Sequence, residues 1–280
     1  MAPPSTHSPL HPLDEATRLH GDAGASHRTA RTSDAYWTFI SPFGGVSAAT
    51  ALRAVMEHPD RAGDPLAVTV NFCAPIVRGD YTVVVRRARA NKSSQHWLVE
   101  FTQGGSAEAV LTASIVTAAR RETWSHRSAP SPTLPPYESL PVFARGESLA
   151  WVAQYEFRFA EGQIASSETM FDPPRSPRSV LWLKDAEPRP LDFLSLAAMS
   201  DAFFGRIFQV IGRIPPFGTV SMTTYFHANA AELAALGTAP LAAVCDARVF
   251  HRSFGDQAAE LYGAGGQLLA TTSQVAYYRV

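Results

Sequence analysis

The chain has 280 residues, of which 46% are hydrophobic and 10% aromatic, which is enough for one large or two ordinary globular domains. Lysine and arginine together number 24 and aspartate and glutamate 25, so the formal net charge is -1. This balance excludes the strongly basic surface by which proteins bind nucleic acid, and we expect no nucleic-acid partner.

We expect no targeting signal at the start of the chain. Residues 1–11 are rich in proline, serine and histidine, and we predict a disordered N-terminus there. They lack the apolar run of a signal peptide, and no later segment reaches the length of a membrane span. The sequence therefore predicts a cytoplasmic protein without a membrane partner.

Cysteine usage points away from disulfides and metals. Cys73 and Cys245 each lie in an apolar, strand-like segment without a neighbouring base, so we interpret both as small core residues rather than acyl acceptors. Two isolated cysteines supply neither a disulfide framework nor the spacing of a metal site. We expect no metal and no cofactor.

The first half of the chain, residues 12–126, is predicted to form one domain. A short helix or turn at 14–19 and a strand at 27–32 come first. The turn Pro-Phe-Gly-Gly at 42–45 then begins a helix from 46 to about 58, whose alanines suit burial against a sheet. Alternating segments bounded by turn residues predict an antiparallel run of three or four strands, at 66–73, 81–90, 95–102 and 109–118.

A proline-rich segment divides the chain. Five prolines between residues 127 and 145 resist both helix and central strand, so we predict a linker. In the second domain, residues 146–280, the order of elements recurs. The pattern predicts strands at 150–159 and 180–184, a helix at about 191–211, and strands near 219–227, 241–251, 257–262 and 267–279.

The two halves share sequence as well as order. The last predicted strand of the first half, from Val110, aligns with the last strand of the second half, from Leu269, which lies 159 positions later. Farther upstream, Asn71 aligns with Tyr225, which lies 154 positions later. A helix followed by antiparallel strands, occurring twice, predicts an α+β fold in which a curled sheet wraps a helix and the copies pair as a pseudo-dimer.

One carboxylate is predicted to be buried. Leu194, Ala198, Asp201, Gly205 and Phe208 follow one another at spacings of four, three, four and three, so they share one face of the predicted helix. Burial would raise the pKa of Asp201 and neighbouring donors would lower it again, which is how a general base is tuned. The alternative is that Asp201 points to solvent or caps a loop.

Two further polar residues stand out in the second half. Gln274 occupies the position at which the first half has Ile115, so an amide in an apolar strand must find hydrogen-bond partners. An edge strand or a subunit contact would also explain it. Thr219 follows Gly218 at a predicted strand start, a position that by itself indicates little.

The motifs that carry a family resemblance are Trp37 with Pro-Phe-Gly-Gly at 42–45, Asn-Phe-Cys-Ala-Pro at 71–75, Ser200-Asp201, Gly218-Thr219 with Tyr-Phe-His at 225–227, and Thr-Ser-Gln at 272–274. In their order and spacing they resemble the acyl-CoA thioesterase II group of double hotdog proteins, over nearly the whole chain after about residue 12. The resemblance implies an α+β double hotdog fold, with two tandem domains that each wrap a long helix in a curved antiparallel sheet.

The resemblance also implies a reaction, the hydrolysis of acyl-CoA or carrier-bound acyl thioesters. In that family an aspartate, a threonine and a glutamine hold and activate the attacking water, roles that fall on Asp201, Thr219 and Gln274. Backbone N–H groups near a helix N-terminus would meet the oxyanion, with Gly44 and Gly45 as candidates.

Substrate binding and site number follow from the same comparison. We expect Phe217, Tyr225 and His227 to line the substrate pocket, although a packing role for His227 is the competing interpretation. In the first half, Ile115 and Pro65 stand where the second half has the glutamine and the threonine, and the helix start offers no carboxylate. The sequence therefore predicts one active site per chain.

Other functions remain open at the level of sequence. Hotdog folds also include hydratases and dehydratases, but Asp246 and His251, five positions apart in a predicted strand, would face opposite sides of the sheet. A protein that binds acyl thioesters without hydrolysing them is a further alternative. Because hotdog proteins bury sheet edges and faces by association, we expect a homodimer or larger homo-oligomer. The aromatic residues expected to form an apolar acyl tunnel are Phe203, Phe204, Phe208, Phe217 and Tyr225.

Overall fold

The computed structural model describes residues 10–128, 130–144, 149–164 and 169–280. Within these ranges the protein has the predicted α+β class, with one antiparallel sheet and five short helices. The helices are α1 Pro12–Ala16, α2 Gly44–Met56, α3 Phe193–Met199, α4 Arg206–Ile211 and α5 Ala230–Leu236. The strands are β1 His27–Arg31, β2 Asp64–Phe72, β3 Asp80–Ala90, β4 Ser94–Thr102, β5 Ala109–Ala118, β6 Tyr155–Glu161, β7 Ser179–Asp185, β8 Phe217–Phe226, β9 Leu241–Asp246, β10 Phe250–His251, β11 Phe254–Tyr262 and β12 Leu268–Tyr278.

The sheet is continuous across the two halves of the chain. Its order is β1-β3-β4-β5-β2-β8-β12-β11-β9-β7-β6, with β10 paired to β11. At the central β2–β8 pair, Thr69 lies opposite Thr223, and their hydroxyl oxygens are 3.0 Å apart. Since these two threonines are also equivalent in the sequence repeat, the halves meet as two copies do across a two-fold axis.

The sequence repeat is present in the strand register. Ile115 of β5 lies opposite Val68 of β2, and Gln274 of β12 lies opposite Met222 of β8. These are the same positions in the two halves. The alignment of Ile115 with Gln274 therefore describes two side chains that occupy equivalent places on the sheet.

Each half also contains a β-bulge at the same place. In β2 the extra residue is Leu66, and in β8 it is Val220. An extra residue in one strand inverts the alternation of side chains between the two faces from that point on. The bulge therefore determines which residues near the start of β8 face inward.

Helix α2 forms the centre of the first half. Between Gly45 and Val55 its side chains are buried almost throughout, and it packs against β2 to β5 and against α3. Small residues allow this close packing, and at Gly45 a Cβ atom would lie 2.4 Å from the carbonyl oxygen of Ala198. The two halves therefore make helix contact as well as strand contact.

The continuous helix predicted at 191–211 is wrong. Helix α3 ends at Met199, α4 begins at Arg206, and residues 200–205 form an irregular segment between them. Nε and Nη2 of the buried Arg206 both donate to the carbonyl oxygen of Phe204, at 2.8 and 2.6 Å. In a continuous α-helix the backbone N–H of Phe208 would donate to the carbonyl of Phe204, four residues earlier. It donates to the carbonyl of Gly205, so the helical hydrogen-bond pattern does not continue across the break.

Three smaller predictions also differ from the structure. Residues 150–154, predicted as strand, form a 3-10 helix. The strand predicted at 241–251 is interrupted after β9, because the backbone N–H groups of Arg248 and Val249 donate to Asp256 Oδ1, both at 2.8 Å. Helix α5 was not predicted, although Asn229 and Glu232 form a capping box at its start.

The two cysteines occupy different environments. Cys245 is buried in β9, as predicted, but Cys73 is exposed. Strand β2 ends at Phe72, and the N–H groups of both Cys73 and Ala74 donate to Val110, at 3.0 and 3.1 Å. The chain therefore leaves the sheet at Cys73, one residue earlier than the predicted strand end.

The predicted N-terminal and linker segments lie partly outside the described residues. Residues 1–9 fall there, whereas the His11 side chain accepts a hydrogen bond from Leu13 N at the start of α1. The described part of 127–145 contains the short 3-10 helix Tyr137–Ser139 and no strand. The domain boundaries stay predictions. Among the described residues, no helix is long and apolar enough to span a membrane.

Candidate active site

Asp201 lies in the irregular segment between α3 and α4. Its side chain is only 7% exposed, and it faces the first turn of α2 from the other half of the chain. A Cβ at Gly44 would lie 2.6 Å from Asp201 Oδ2, so the carboxylate occupies space that any other residue at position 44 would fill. The burial predicted for Asp201 is present, although the residue is not on a continuous helix.

A chain of hydrogen bonds joins three side chains of the second half. Thr219 Oγ1 donates to Gln274 Oε1 at 2.8 Å, and Gln274 Nε2 donates to Asp201 Oδ1 at 3.3 Å. The two bonds use opposite ends of the amide, so the threonine fixes the orientation in which the amide donates to the carboxylate. The structure thus brings together Asp201, Thr219 and Gln274.

The bulge at Val220 explains how Thr219 reaches this position. Strict alternation along β8 would put Thr219 on the same outer face as Tyr225. Because Val220 is the extra residue, Thr219 instead lies opposite Ala276, which is buried on the same face as Gln274. Thr219 and Gln274 are therefore diagonal neighbours on the inner face of the sheet.

The electrostatics of the site favour a neutral or readily protonated carboxyl group. Burial raises the pKa of Asp201 to about 7, while the Gln274 amide and the Gly45 backbone N–H act in the opposite direction. A carboxylate with a pKa near neutrality is suited to accept a proton at physiological pH and to release it again. The arrangement therefore has the properties of a general base.

A cavity of about 650 Å³ opens onto these groups. Its lining comes from both halves of the chain and is mostly apolar and aromatic. Phe43 and Trp151 form one wall as a stacked pair, with ring centroids 4.5 Å apart. Among the described residues that line it, Asp201 is the one carboxylate. Such a volume and lining are typical of sites for small apolar ligands.

Some of the residues predicted for substrate contact lie in this cavity. Gly44 and Phe217 line it, whereas Gly45 is not among the lining residues, and its backbone N–H lowers the pKa of Asp201. Of the five aromatic residues predicted for the tunnel, the four that line the cavity are Phe203, Phe204, Phe208 and Phe217.

Tyr225 and His227 do not reach the cavity. Tyr225 is 52% exposed on the outer face of β8, because it lies beyond the bulge from Thr219. His227 follows the end of β8 and its Nε2 lies 3.1 Å from Thr271 Oγ1. Partial burial and the nearby Arg120 lower the pKa of His227. The packing interpretation of His227 therefore fits the structure, and neither residue lines the cavity onto which Asp201 opens.

The sequence did not identify several residues of the cavity. Residues 38–41, the segment 72–76 with the exposed Cys73, and Leu149 and Trp151 all contribute to its walls. They belong to loops or element ends, where alternation of apolar and polar residues gives no signal. Asp246 and His251, weighed as a dyad, do not line the cavity. No cluster of three or more potential metal ligands occurs in the described ranges.

The described part of the first half has no equivalent set of groups. Ile115, at the position of Gln274, is fully buried, and Pro65 takes the position of Thr219 opposite Thr117. An isoleucine and a proline offer no side-chain donor or acceptor there. The polar chain is thus confined to the second half.

Solved structures define the fold class. A conserved protein of unknown function with a hot dog fold from Alicyclobacillus acidocaldarius is 36% identical, with 97% of this chain and 99% of that chain covered and a TM-score of 0.90. An acyl-CoA thioesterase II from Mycobacterium marinum is 16% identical, with 95% and 98% covered and a TM-score of 0.75. The tesB protein of Mycobacterium avium subs paratuberculosis is 17% identical, with 96% and 98% covered and a TM-score of 0.74. At identities this low, the similarity of the two mycobacterial proteins to this chain shows a shared fold only.

The family follows from models of its two domains. The model of the acyl-CoA thioesterase N-terminal domain matches residues 33–118, and that of the C-terminal domain matches residues 128–278. The chain belongs to the acyl-CoA thioesterase family, which confirms the resemblance identified from its motifs. No curated protein matches the sequence.

Proposed function

We propose that the protein hydrolyses acyl-CoA thioesters, with Asp201 as general base. The observation that carries this proposal is a buried carboxyl group of pKa about 7, bonded to an oriented amide and open to an apolar cavity. A site that only bound an apolar acyl group would gain nothing from a desolvated carboxylate at its polar end. Membership of the acyl-CoA thioesterase family supports the same reaction.

The attacking water would lie between Asp201 and Gln274. Gln274 Nε2 has a second N–H besides the one directed at Asp201, and it would donate to the water oxygen while the water donates to the carboxylate. Thr219 acts on the amide rather than on the water, because its hydroxyl donates to Gln274 Oε1. Holding the water in this way makes its attack effectively unimolecular.

The reaction then follows from these positions. Asp201 takes a proton from the water while the water oxygen bonds to the thioester carbonyl carbon, and the carbonyl oxygen becomes an oxyanion. When the intermediate collapses, the carbon–sulfur bond breaks and the proton held by Asp201 passes to the leaving thiolate. The products are a carboxylic acid and a free thiol, without a covalent acyl-enzyme.

Gly44 is the candidate that we favour for the oxyanion. Its N–H lies at the N-terminus of α2, where the first backbone donors of a helix have no intrahelical acceptor, and the residue lines the cavity. Gly45 is less suited, since it does not line the cavity and its backbone N–H acts on the pKa of Asp201.

Several broader features belong to the same proposal. We infer that each half is one hotdog unit of a double hotdog, that each chain has one active site, and that the protein acts in the cytoplasm in fatty acid metabolism. Exposed apolar side chains on the outer face of the sheet support self-association, namely Tyr225, Val275 and Tyr277 with Phe254 beside them. A native mass measurement tests the homo-oligomer.

The test of hydrolysis is release of free thiol from a panel of acyl-CoA substrates by the purified protein. Asp201→Asn should abolish release. The matched control is Asp185→Asn, because Asp185 is also a buried carboxyl group whose pKa burial raises to about 7, but it lines a separate small cavity. Binding of acyl-CoA without thiol release, or full activity of Asp201→Asn, would overturn the proposal in favour of a binding protein.

A further inference from the structure

Three arginines lie on backbone segments that are connected to the cavity lining of the second half, and we call them the basic lip: Arg213, Arg252 and Arg279. Arg213 immediately precedes the lining residues Ile214 to Pro216. The backbone N–H of Arg279 donates to Pro216 at 3.0 Å, and the N–H of its neighbour Tyr278 donates to Ser253, next to Arg252, at 2.9 Å. Two backbone hydrogen bonds therefore connect these segments to one another and to the lining residue Pro216.

The side chains of the basic lip are exposed and unpaired within the described residues. No ion pair or side-chain hydrogen bond involves Arg213, Arg252 or Arg279 in that part of the chain. The carboxylate nearest to Arg252 in the sequence is that of Asp256. It already accepts hydrogen bonds from the backbone of Arg248 and Val249 and pairs with the Arg248 side chain. The positive charge of the basic lip is therefore available to a ligand.

The first-half side of the mouth has a different character. Phe39 and Ile40 line the cavity there and are 59% and 67% exposed, and Val77, next to the lining residue Ile76, is 59% exposed. The arginine on this side, Arg78, donates to Asp34 at 2.8 Å and lies over the Trp37 ring at 4.0 Å from its centroid. An anionic group at the mouth would thus find its free partners on the second-half side.

We propose that the basic lip binds the phosphate groups of CoA, an assignment that rests on the proposed function. With the acyl group in the cavity and the thioester at Asp201, the pantetheine arm would leave through the mouth and bring the diphosphate and the 3′-phosphate to the basic lip. Guanidinium groups bind phosphate oxygens through paired, charge-assisted hydrogen bonds. Three arginines match the several charges of CoA better than the single phosphodiester of a carrier-bound pantetheine.

The test compares substrates that share an acyl group and differ in phosphate. These are acyl-CoA, acyl-4′-phosphopantetheine and acyl-pantetheine, assayed with wild type and with Arg213→Gln/Arg252→Gln/Arg279→Gln. We expect the variant to raise KM for acyl-CoA by about tenfold or more, as for the loss of charge-assisted hydrogen bonds, with kcat unchanged. For acyl-pantetheine, KM should stay within about twofold of wild type.

The control removes the same amount of charge elsewhere. Arg86→Gln/Arg89→Gln/Lys92→Gln neutralises three exposed cations on and beside β3, at residues outside the cavity lining. It should leave KM for all three substrates near wild type. Equal changes in KM for acyl-CoA and acyl-pantetheine, or an equal effect of the control, would refute the assignment while leaving hydrolysis intact.

Binding measurements separate this inference from the proposed function. Calorimetry with CoA and with pantetheine needs no turnover, so it remains decisive even if the wild type releases no thiol. Tighter binding of CoA than of pantetheine, lost in the basic-lip variant and weakened by salt, supports the inference. Equal affinity for the two ligands contradicts it.

Discussion

Gly44 and Asp201 belong to different halves of the chain, yet a Cβ at position 44 would lie 2.6 Å from Asp201 Oδ2. We therefore expect Gly44→Ala to displace the carboxylate and to lower kcat/KM by about a hundredfold, since a misplacement of about 1 Å can have an effect of that size. The measurement is steady-state thiol release.

The matched control for this change is Gly218→Ala. Gly218 also lines the cavity, but a Cβ there would meet no atom within 4 Å. Activity of this variant should stay close to wild type. If Gly44→Ala were as active as Gly218→Ala, the close approach at position 44 would have no role in the reaction.

The pH dependence of hydrolysis should report the ionisation of Asp201. A general base must be deprotonated, so kcat/KM should rise about tenfold per pH unit in acid and level off above pH about 7, where the pKa of Asp201 lies. Asp185→Asn should leave this inflection in place, because Asp185 is outside the cavity. A profile that is flat between pH 5 and 8 would contradict the assignment.

The same carboxyl group should make the fold less stable as pH rises. The folded-state pKa of Asp201 is raised from 3.8 to about 7, so between these values the folded protein holds a proton that the unfolded chain has lost. The free energy of unfolding of wild type, relative to Asp201→Asn, should therefore fall as pH rises from about 4 to about 7. The fall should be at most about 4 kcal/mol, since a tenfold change in proton affinity corresponds to about 1.4 kcal/mol.

Denaturant unfolding of both proteins across this pH range measures the difference. The contribution of Asp185 is common to wild type and variant and cancels. A difference that does not change with pH would mean that Asp201 has the same proton affinity in the folded and unfolded states.

Two single variants, Gln274→Ile and Ile115→Gln, test the role of this sheet position in each half separately. Gln274→Ile removes a donor that lowers the pKa of Asp201, so activity should drop by about a hundredfold and the remaining activity should show its inflection at higher pH. Ile115→Gln should keep wild-type activity but lose about 1–3 kcal/mol of stability, because it places a polar amide at a fully buried apolar position.

Thiol release and thermal unfolding of both variants provide the readouts. Full activity of Gln274→Ile would remove the amide from the mechanism. An unaltered melting temperature for Ile115→Gln would show that the first half can satisfy the amide after all.

The sequence predicted most of the sheet because its signals were local or repeated. Strand β5 has the predicted bounds, and the pairing of Ile115 and Gln274 with equivalent partners follows the repeat. The break after α3 was not predictable from periodicity, because apolar residues on every side of 191–211 look like a buried helix. At the break the Arg206 side chain donates to the carbonyl of Phe204, a contact that no apolar periodicity indicates.

The candidate site was predictable where the resemblance supplied it and incomplete elsewhere. The motifs of the family resemblance predicted Asp201, Thr219 and Gln274, which lie far apart in the sequence. The structure brings these three side chains together. Tyr225 was expected in the pocket from the resemblance and as one of the aromatic residues, but it lies on the outer face of the sheet, beyond the extra residue Val220 from Thr219. The influence of the Gly45 backbone on the pKa of Asp201 depends on where a carboxylate from the other half of the chain lies, and no local pattern contains that information.

The contact between α2 and the segment after α3 means that both halves of the chain contribute to the candidate site. The acid and its amide come from one half, whereas the glycines that leave room for the acid come from the other. Neither half expressed alone would hold a complete centre. When the two halves are mixed as separate polypeptides, turnover should return only to the extent that they reassociate through the β2–β8 strand pair.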